Sequence, residues 1–450
     1  MFKKVLIANR GEIALRINRA CHELGVATVA VFSEADRQSL HVRHADEQFC
    51  VGPASVARSY LNIPNIISAA LISGCDAIHP GYGFLAENAR FAEIAADHGL
   101  TFIGPRPSVI AAMGDKAIAK RIMQEAHVPV TPGSGVLASL DEARTAAQEI
   151  GYPVMLKATA GGGGKGMRVV WTPEELPHAY ATAQAEAEAS FKDGRMYVEK
   201  LVVDPRHIEV QVLADEHGGV VHLGERDCSV QKPSHQKLIE EAPAPVLDEG
   251  LRRRLHQVAV TATRAVGYTN AGTLEFLVSG DALYFMEMNT RIQVEHPVTE
   301  LIYGVDLVKE QIRIAAGEPL GFSQEDLHPH GHAIEVRVNA EDPDNNFAPA
   351  AGTLSTVVFP GGPGIRVDTH VYGGATVPPF YDSLLAKIVA VGRTRESAIL
   401  RMERALSETR IDGVKTTVAI SREILASDDF RAGGVGVSWL PAFLGRRAAV

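Results

Sequence analysis

Residues 284–295 read YFMEMNTRIQVE. Side chains alternate along an extended segment, so one face carries Glu287, Asn289, Arg291, Gln293 and Glu295 and the other Met286, Met288, Thr290, Ile292 and Val294. Two more segments repeat the pattern: RHIEVQVL projects His207, Glu209 and Gln211, and AIEVRVNA projects Glu335, Arg337 and Asn339. Each keeps an apolar face for a core. Such alternation ordinarily marks an antiparallel sheet with one solvated face. These polar faces hold amides, carboxylates and guanidiniums, without the Lys, Ser and Thr of a solvated strand, so a site is the competing reading.

Working outward, Glu275 in TLEFLV would be folded back against Glu287 by a hairpin through the turn SGDA. Paired carboxylate oxygens suit Mg²⁺, which keeps waters and substrate phosphates in its other positions, and Asn289 would be a third oxygen ligand. Two surface acids would show the same spacing. Upstream, the run Gly161-Gly162-Gly163-Gly164-Lys165-Gly166 has the freedom and the N–H groups to fold over phosphates. It is not a P-loop, since Gly166 stands where Ser or Thr must follow Gly164-Lys165, and a glycine run alone is also an ordinary loop. Lys157 on the strand before it and Lys116 further upstream offer charge to a triphosphate.

At the N-terminus, KKVLIAN, GEIALRINRACHELG and VATVAVFS read as strand, helix and strand, the start of a parallel sheet that continues to about residue 105. The first turn, ANRGEIA, lacks G-x-G-x-x-G, so a dinucleotide site loses its main support. HVPVTPGSG (127–135) marks a boundary, a small α/β segment follows to about residue 203, and alternating strands then run to a helical region near 395–425. The chain has 450 residues, room for about three domains. With 44 Lys and Arg against 54 Asp and Glu, the net charge is −10, which makes nucleic acid a poor partner. Cys21, Cys50, Cys75 and Cys228 are too scattered for a disulfide framework or zinc knuckle and fit a reducing cytoplasm. No export signal or membrane-length apolar run is read. His328, His330 and His332 read as a linker, and no local signature for Ser or Cys nucleophilic catalysis occurs.

Over essentially its full length the chain resembles the biotin carboxylase component of the biotin-dependent carboxylases, in the ATP-grasp superfamily. The resemblance is carried, in order, by IANRGEIALR (7–16), HPGYGFLAEN (79–88), MGDK (113–116), KATAGGGGKGM (157–167), ERDCSVQ (225–231), EEAPAP (240–245), MEMNTRIQVEHPVTE (286–300) and YDSLLAKI (381–388). It implies a mixed α/β and α+β architecture, an ATP-grasp fold with a Rossmann-like parallel-sheet domain (1–130), a lid (131–203) and an antiparallel-sheet body (204–450). ATP would be held by Lys116, Lys157, the glycines Gly162, Gly163, Gly164 and Gly166, a hinge of Glu199, Lys200 and Leu201, and His207, Gln231 and His235. Glu275, Glu287 and Asn289 match the family's ligands for Mg²⁺, with Mn²⁺ the alternative. Lys237, Arg291, Gln293, Val294 and Glu295 match the bicarbonate pocket, Glu295 as general base, while Arg337 and Tyr82 would face biotin.

One stretch departs from the family. After Cys228-Ser229 the family usually reads x-Gln-Arg-Arg-His-Gln-Lys, whereas this chain has Gln231-Lys232-Pro233-Ser234-His235-Gln236-Lys237, one residue longer. An extra residue inside a strand would turn side chains to the wrong face, so a turn at Lys232 to Ser234 is expected. No Met-Lys-Met biotinylation motif occurs, so biotin is expected on a separate biotin carboxyl carrier protein, with carboxyltransferase subunits as further partners and a homodimer by family habit. The implied function is the first half-reaction of acetyl-CoA carboxylase in fatty acid synthesis; the alternative is a propionyl-CoA, other acyl-CoA or pyruvate carboxylase. Two rivals from outside the family are another ATP-grasp ligase and a non-catalytic scaffold.

Overall fold

Val5, Leu6 and Ile7 are an unbroken apolar run, and the chain buries them in β1 (Lys4–Ile7). With β2 (Ala27–Ser33), β3 (Glu47–Gly52), β4 (Ala77–His79) and β5 (Thr101–Phe102) it forms a five-stranded parallel sheet in the order β3-β2-β1-β4-β5. The helix Gly11–Glu23 lays Ile13, Ile17 and Ala20 against this sheet, as their helical spacing predicts. The structure, a computed structural model, describes residues 1–159, 166–191 and 193–448. The chain divides into two compact units: one of residues 1–128, 206–276 and 287–450, the other of residues 129–205 with 277–286.

In the smaller unit β6 (Val154–Ala158), β7 (Met167–Val170) and β8 (Met196–Lys200) form an antiparallel sheet in the order β7-β6-β8. Helices Leu140–Ile150 and Leu176–Phe191 pack on it through Ala143, Ala147, Ala179 and Ala183, small side chains that allow close approach to Leu156 and Val198. Ser139 caps the first of these helices by accepting from the Glu142 N–H at 3.2 Å.

The larger unit is built on β9 (Arg206–Ala214), β10 (Val220–Gln231), β11 (Lys237–Ala242), β14 (His332–Asn339) and those parts of β12 (Asn270–Ser279) and β13 (Ala282–Asn289) that lie outside 277–286. Together with Ile365–Thr369 and Leu384–Gly392 they make an eight-stranded sheet, ordered β13-β12-β9-β10-β11-β14, then 384–392, then 365–369. Behind it Ile334, Val336 and Ile388 meet Ile399 and Met402 of the helix Arg395–Glu408. The faces read as polar are not solvated: Glu209, Gln211 and Glu335 are each 0% exposed.

Three sequence expectations are adjusted. The strand expected over 284–295 ends at Asn289, because the Thr290 N–H is taken by Glu87 Oε1 at 3.1 Å and Pro297 sits in the first turn of a helix, His296–Tyr303. His332 is no linker residue: it opens β14 and its Nε2 lies 2.8 Å from Glu241 Oε2. The added residue lies in a hairpin turn, which extends to His235, with φ +63°, while Gln231 and Lys237 keep their pairing on either side. Lys232 opens that turn as expected, its carbonyl accepting the His235 N–H at 2.8 Å, while its side chain is 1% exposed and its Nζ donates to both oxygens of Glu341, at 2.9 and 2.7 Å.

Candidate active site

The hub of the larger unit is Lys237, the first residue of β11. Its ammonium donates to Glu209 Oε2 at 2.7 Å, Glu275 Oε1 at 2.9 Å and Glu295 Oε1 at 2.6 Å. Three adjacent buried carboxylates would repel one another severely; a lysine with three donors satisfies one oxygen of each. Burial works against the Lys237 charge, yet the surrounding Cys228, Glu209, Glu275 and Glu295 hold its pKa well above the ordinary value. The ligand atoms of His207, Glu209 and Glu275 cluster within 4.8 Å as a metal trio would. Both of its carboxylates are bonded to the Lys237 ammonium, which supplies the cation there.

Behind the hub lies Arg226, 0% exposed, opposite Glu209 in the β9–β10 pairing. Its guanidinium donates to Gln211 Oε1 at 2.9 Å, Thr299 Oγ1 at 3.0 Å, Thr273 Oγ1 at 3.2 Å and Gln293 Oε1 at 2.8 Å, and is ion-paired with Glu209. Gln293 thus has its oxygen fixed, and its Nε2 donates onward to Glu275 Oε1 at 2.7 Å. Sequence reasoning quoted Arg226 only inside a motif. Its place across from Glu209 on the neighbouring strand was the available signal.

Glu295 is 2% exposed and caught between two cations: Lys237 on Oε1, and Arg337 Nη2 on Oε2 at 3.0 Å. Burial raises its pKa, but Lys237, Arg337 and Arg226 outweigh that and hold it well below the carboxylate range. Arg337 is shared with Glu240, whose Oε1 accepts from Nε at 2.6 Å. Cys228 Sγ lies 3.8 Å from Glu295 Oε1, and burial pushes its thiol well up, so it is no nucleophile. Arg291 is held as a fork: Nε donates to Glu87 Oε2 at 3.0 Å and Nη2 to Asn289 Oδ1 at 2.9 Å. Glu87, of the motif HPGYGFLAEN, is a second residue that sequence reasoning left without a role.

Glu287 is half-buried, and among the described residues none hydrogen-bonds or ion-pairs with it. Burial first, then the Glu275 charge, raises its pKa. Buried Asn289 also has an Nδ2 with no partner. Two adjacent carboxylates and an amide, one acid without an ion-pair contact, are hard oxygen donors that fit Mg²⁺. His207 joins them, with Nε2 3.1 Å from Glu275 Oε2 and Nδ1 2.9 Å from Gln231 Nε2. His235 is exposed in its turn, and Lys116 is exposed in the first turn of the helix Lys116–Glu125. Tyr82 donates its hydroxyl to Glu12 Oε1.

The smaller unit holds the remaining expected residues. Lys157 Nζ meets Glu199 Oε2 at 2.6 Å. The Lys200 ammonium is spent on the carbonyls of Gly151 and Tyr152, at 2.9 and 3.1 Å, and the Leu201 N–H on Pro153 O at 3.1 Å. Gly166 has φ +71°, and a Cβ there would sit 2.8 Å from the Ala158 Cβ, so close strand packing alone requires glycine. Gly162, Gly163 and Gly164 lie outside the described residues.

A buried acid–lysine hub beside an antiparallel sheet, with a separate small α/β unit carrying Lys157 and Glu199, is the design of an ATP-grasp ligase. Three family profiles divide the chain: "Biotin carboxylase, N-terminal domain" over residues 1–110, "Carbamoyl-phosphate synthase L chain, ATP binding domain" over 115–323, and "Biotin carboxylase C-terminal domain" over 335–442. The chain is 56% identical over 441 residues to the biotin carboxylase of a Nostoc species, covering 98% of both chains, and 56% identical over 447 residues to that of Haemophilus influenzae, covering 99% of both. Among solved structures, the biotin carboxylase domain of Hydrogenobacter thermophilus 2-oxoglutarate carboxylase is similar with a TM-score of 0.91 and 50% identity, over 98% of each chain. The chain belongs to the biotin carboxylase family, and its activity is the ATP-dependent carboxylation of biotin.

Proposed function

We propose that the cluster around Lys237 binds bicarbonate and that Glu295 is its general base. The observation that carries this reading is the position of Glu295, bridged between Lys237 and Arg337. In the substrate-free state Glu295 is ionised but too weak a base to take a proton readily, since efficient bases have pKa values near the working pH. Bicarbonate entering beside Arg291 and Lys237 gives those cations a second anion to serve. As their hold on Glu295 is shared, its basicity rises, and it removes the bicarbonate proton while the oxygen attacks the γ-phosphoryl group of ATP, the bond from that phosphorus to the β,γ-bridging oxygen breaking and ADP leaving. The guanidinium of Arg291, aligned by Glu87 and Asn289, presents a planar fork to the carboxylate-like edge of bicarbonate, which lysine would match less well.

Mg²⁺ would be held by Glu275, Glu287 and Asn289 and supplies charge neutralisation for the phosphates. The Hydrogenobacter structure contains MgADP and bicarbonate, which supports these assignments here. Lys116 and Lys157 take the phosphates, Glu199, Lys200 and Leu201 the adenine, and Gly162 to Gly166 the lid over them, with lid boundaries at 131–203. His207 and Gln231 complete the nucleotide site, with His235 reaching from its turn. The product, carboxyphosphate, decomposes to CO₂ and phosphate. Phosphate removes the N1′ proton of biotin, and Arg337, released from Glu295, stabilises the ureido oxygen as it becomes negative, with Tyr82 at the biotin side.

Biotin arrives on a carrier protein, and carboxyltransferase subunits consume carboxybiotin, with acetyl-CoA as the acceptor. A methanogen relative, 53% identical, is a pyruvate carboxylase subunit, which keeps pyruvate as the second acceptor. The enzyme works in the cytoplasm as a homodimer. No helix among the described residues is long and apolar enough to cross a membrane. The role of Arg337 is tested by Arg337→Ala: biotin carboxylation should fall about 100-fold or more, and biotin-independent, bicarbonate-dependent ATP cleavage much less. Equal losses in both assays would remove Arg337 from the biotin step.

A further inference from the structure

Lys387 and Glu12, which belong to the motifs YDSLLAKI and NRGEIALR, have no part in the roles above, yet both are buried beside the site. Lys387 is 0% exposed and is the cross-strand partner of Arg337. Its Nζ donates to the backbone carbonyl of Val294 at 2.7 Å and lies 3.1 Å from Glu12 Oε1, with Asp368 Oδ2 further off at 3.9 Å. The same Glu12 oxygen accepts the Tyr82 hydroxyl. One hydrogen-bonded path therefore runs Tyr82–Glu12–Lys387–Val294.

A buried ammonium is expensive unless paired, and Glu12 with Asp368 would suffice as counter-charges. That the ammonium also ends on a main-chain carbonyl calls for a separate reason. A trans peptide is planar, with N–H opposed to C=O, so fixing the Val294 carbonyl also fixes the direction of the Glu295 N–H. The preceding carbonyl, of Gln293, is engaged by His296 Nδ1 at 2.7 Å. Both peptide planes flanking Val294 are thus anchored, one by His296 and one by Lys387.

We propose that Lys387 and Glu12 are positioning residues that fix the Val294 peptide of the bicarbonate pocket and tie it to Tyr82 on the biotin side. The inference rests on the roles proposed above for Val294 and Tyr82. Lys387→Met keeps the length and removes the donor, leaving the Val294 carbonyl without its charged partner. The bicarbonate KM should rise about 10-fold or more while the ATP KM stays within about twofold, since a hydrogen bond to a charged group carries roughly that factor. A merely structural role would lower the active fraction without moving one KM alone. Tyr82→Phe combined with Lys387→Met should give less than the product of the single effects on carboxylation. Should Lys387→Met not fold, Glu12→Gln, which keeps an acceptor for Tyr82 but removes the charge, should raise the bicarbonate KM about threefold. An unchanged bicarbonate KM in the folded variant, or multiplicative double-mutant effects, overturns the proposal. Arg291→Ala in the same titration separates the failures: if it raises the bicarbonate KM while Lys387→Met does not, only the positioning role falls, and if neither does, the pocket assignment falls with it.

Discussion

Lys237 binds three carboxylates with one ammonium; Glu209 and Glu295 each have a second cation on the other oxygen, Arg226 behind the hub for Glu209 and Arg337 for Glu295. The arrangement predicts separable effects at single residues. Glu295→Gln keeps size and hydrogen-bonding capacity but cannot accept a proton, so turnover should fall about 100-fold or more, the range for a general base. Nucleotide affinity should stay within about twofold, because no ATP contact is assigned to Glu295. Steady-state kinetics with a fluorescent-nucleotide titration on the same preparation checks both, and a variant of near-full rate would exclude Glu295 as the base. The residue identities were largely legible: Lys237, Arg291, Gln293, Glu295 and Arg337 were all selected from pattern and resemblance, and the larger unit brings them together. Arg226, flanked by Glu225 and Asp227, and Lys387, alone in an apolar strand, were not selected, since neither setting announces the partner. Their meaning comes from Glu209 on the adjacent strand and from Val294, which lies 93 positions from Lys387 in the chain.

At the scale of elements, period-2 alternation correctly identified strands around His207 and Glu335, yet it overran β13 by six residues. Arg291, Gln293 and Glu295 keep an alternating order in a segment that is no strand, because their side chains are held by Glu87, Arg226 and Lys237. Alternation in sequence cannot distinguish a ladder from a loop pinned by side chains. The hairpin turn after Gln231 shows the opposite case, where register logic alone placed the extra residue outside the strands. That turn carries its own prediction. Lys232 and Glu341 are a buried pair, 1% and 5% exposed, so Lys232→Met should leave an uncompensated buried carboxylate and cost about 3–5 kcal/mol. Urea unfolding of Lys232→Met, compared with Lys232→Met combined with Glu341→Gln, checks this. The double variant should recover much of the loss, and a cost under about 1 kcal/mol for the single variant would show that the pair is not stabilising.

Across the whole molecule, a net charge of −10 raised the question of how such a chain would hold ATP and bicarbonate. The larger unit does not answer it with a simple cationic pocket. Around Lys237 the carboxylates outnumber the ammonium, and Glu287 has no ion-pair partner within contact among the described residues. Lys237, Arg291 and Arg337 are all paired internally, so on the proposed reading substrates gain cations only as those pairs are shared, and the acid excess is what Mg²⁺ would meet. Such a site should turn over little until bicarbonate is present, which makes idle ATP hydrolysis slow. The most direct test is therefore ATP cleavage by the purified protein with Mg²⁺, measured with and without bicarbonate and with and without free biotin. The account predicts cleavage that requires bicarbonate and is stimulated by biotin, with carboxybiotin formed. ATP cleavage indifferent to both, or none in the presence of both, would contradict it.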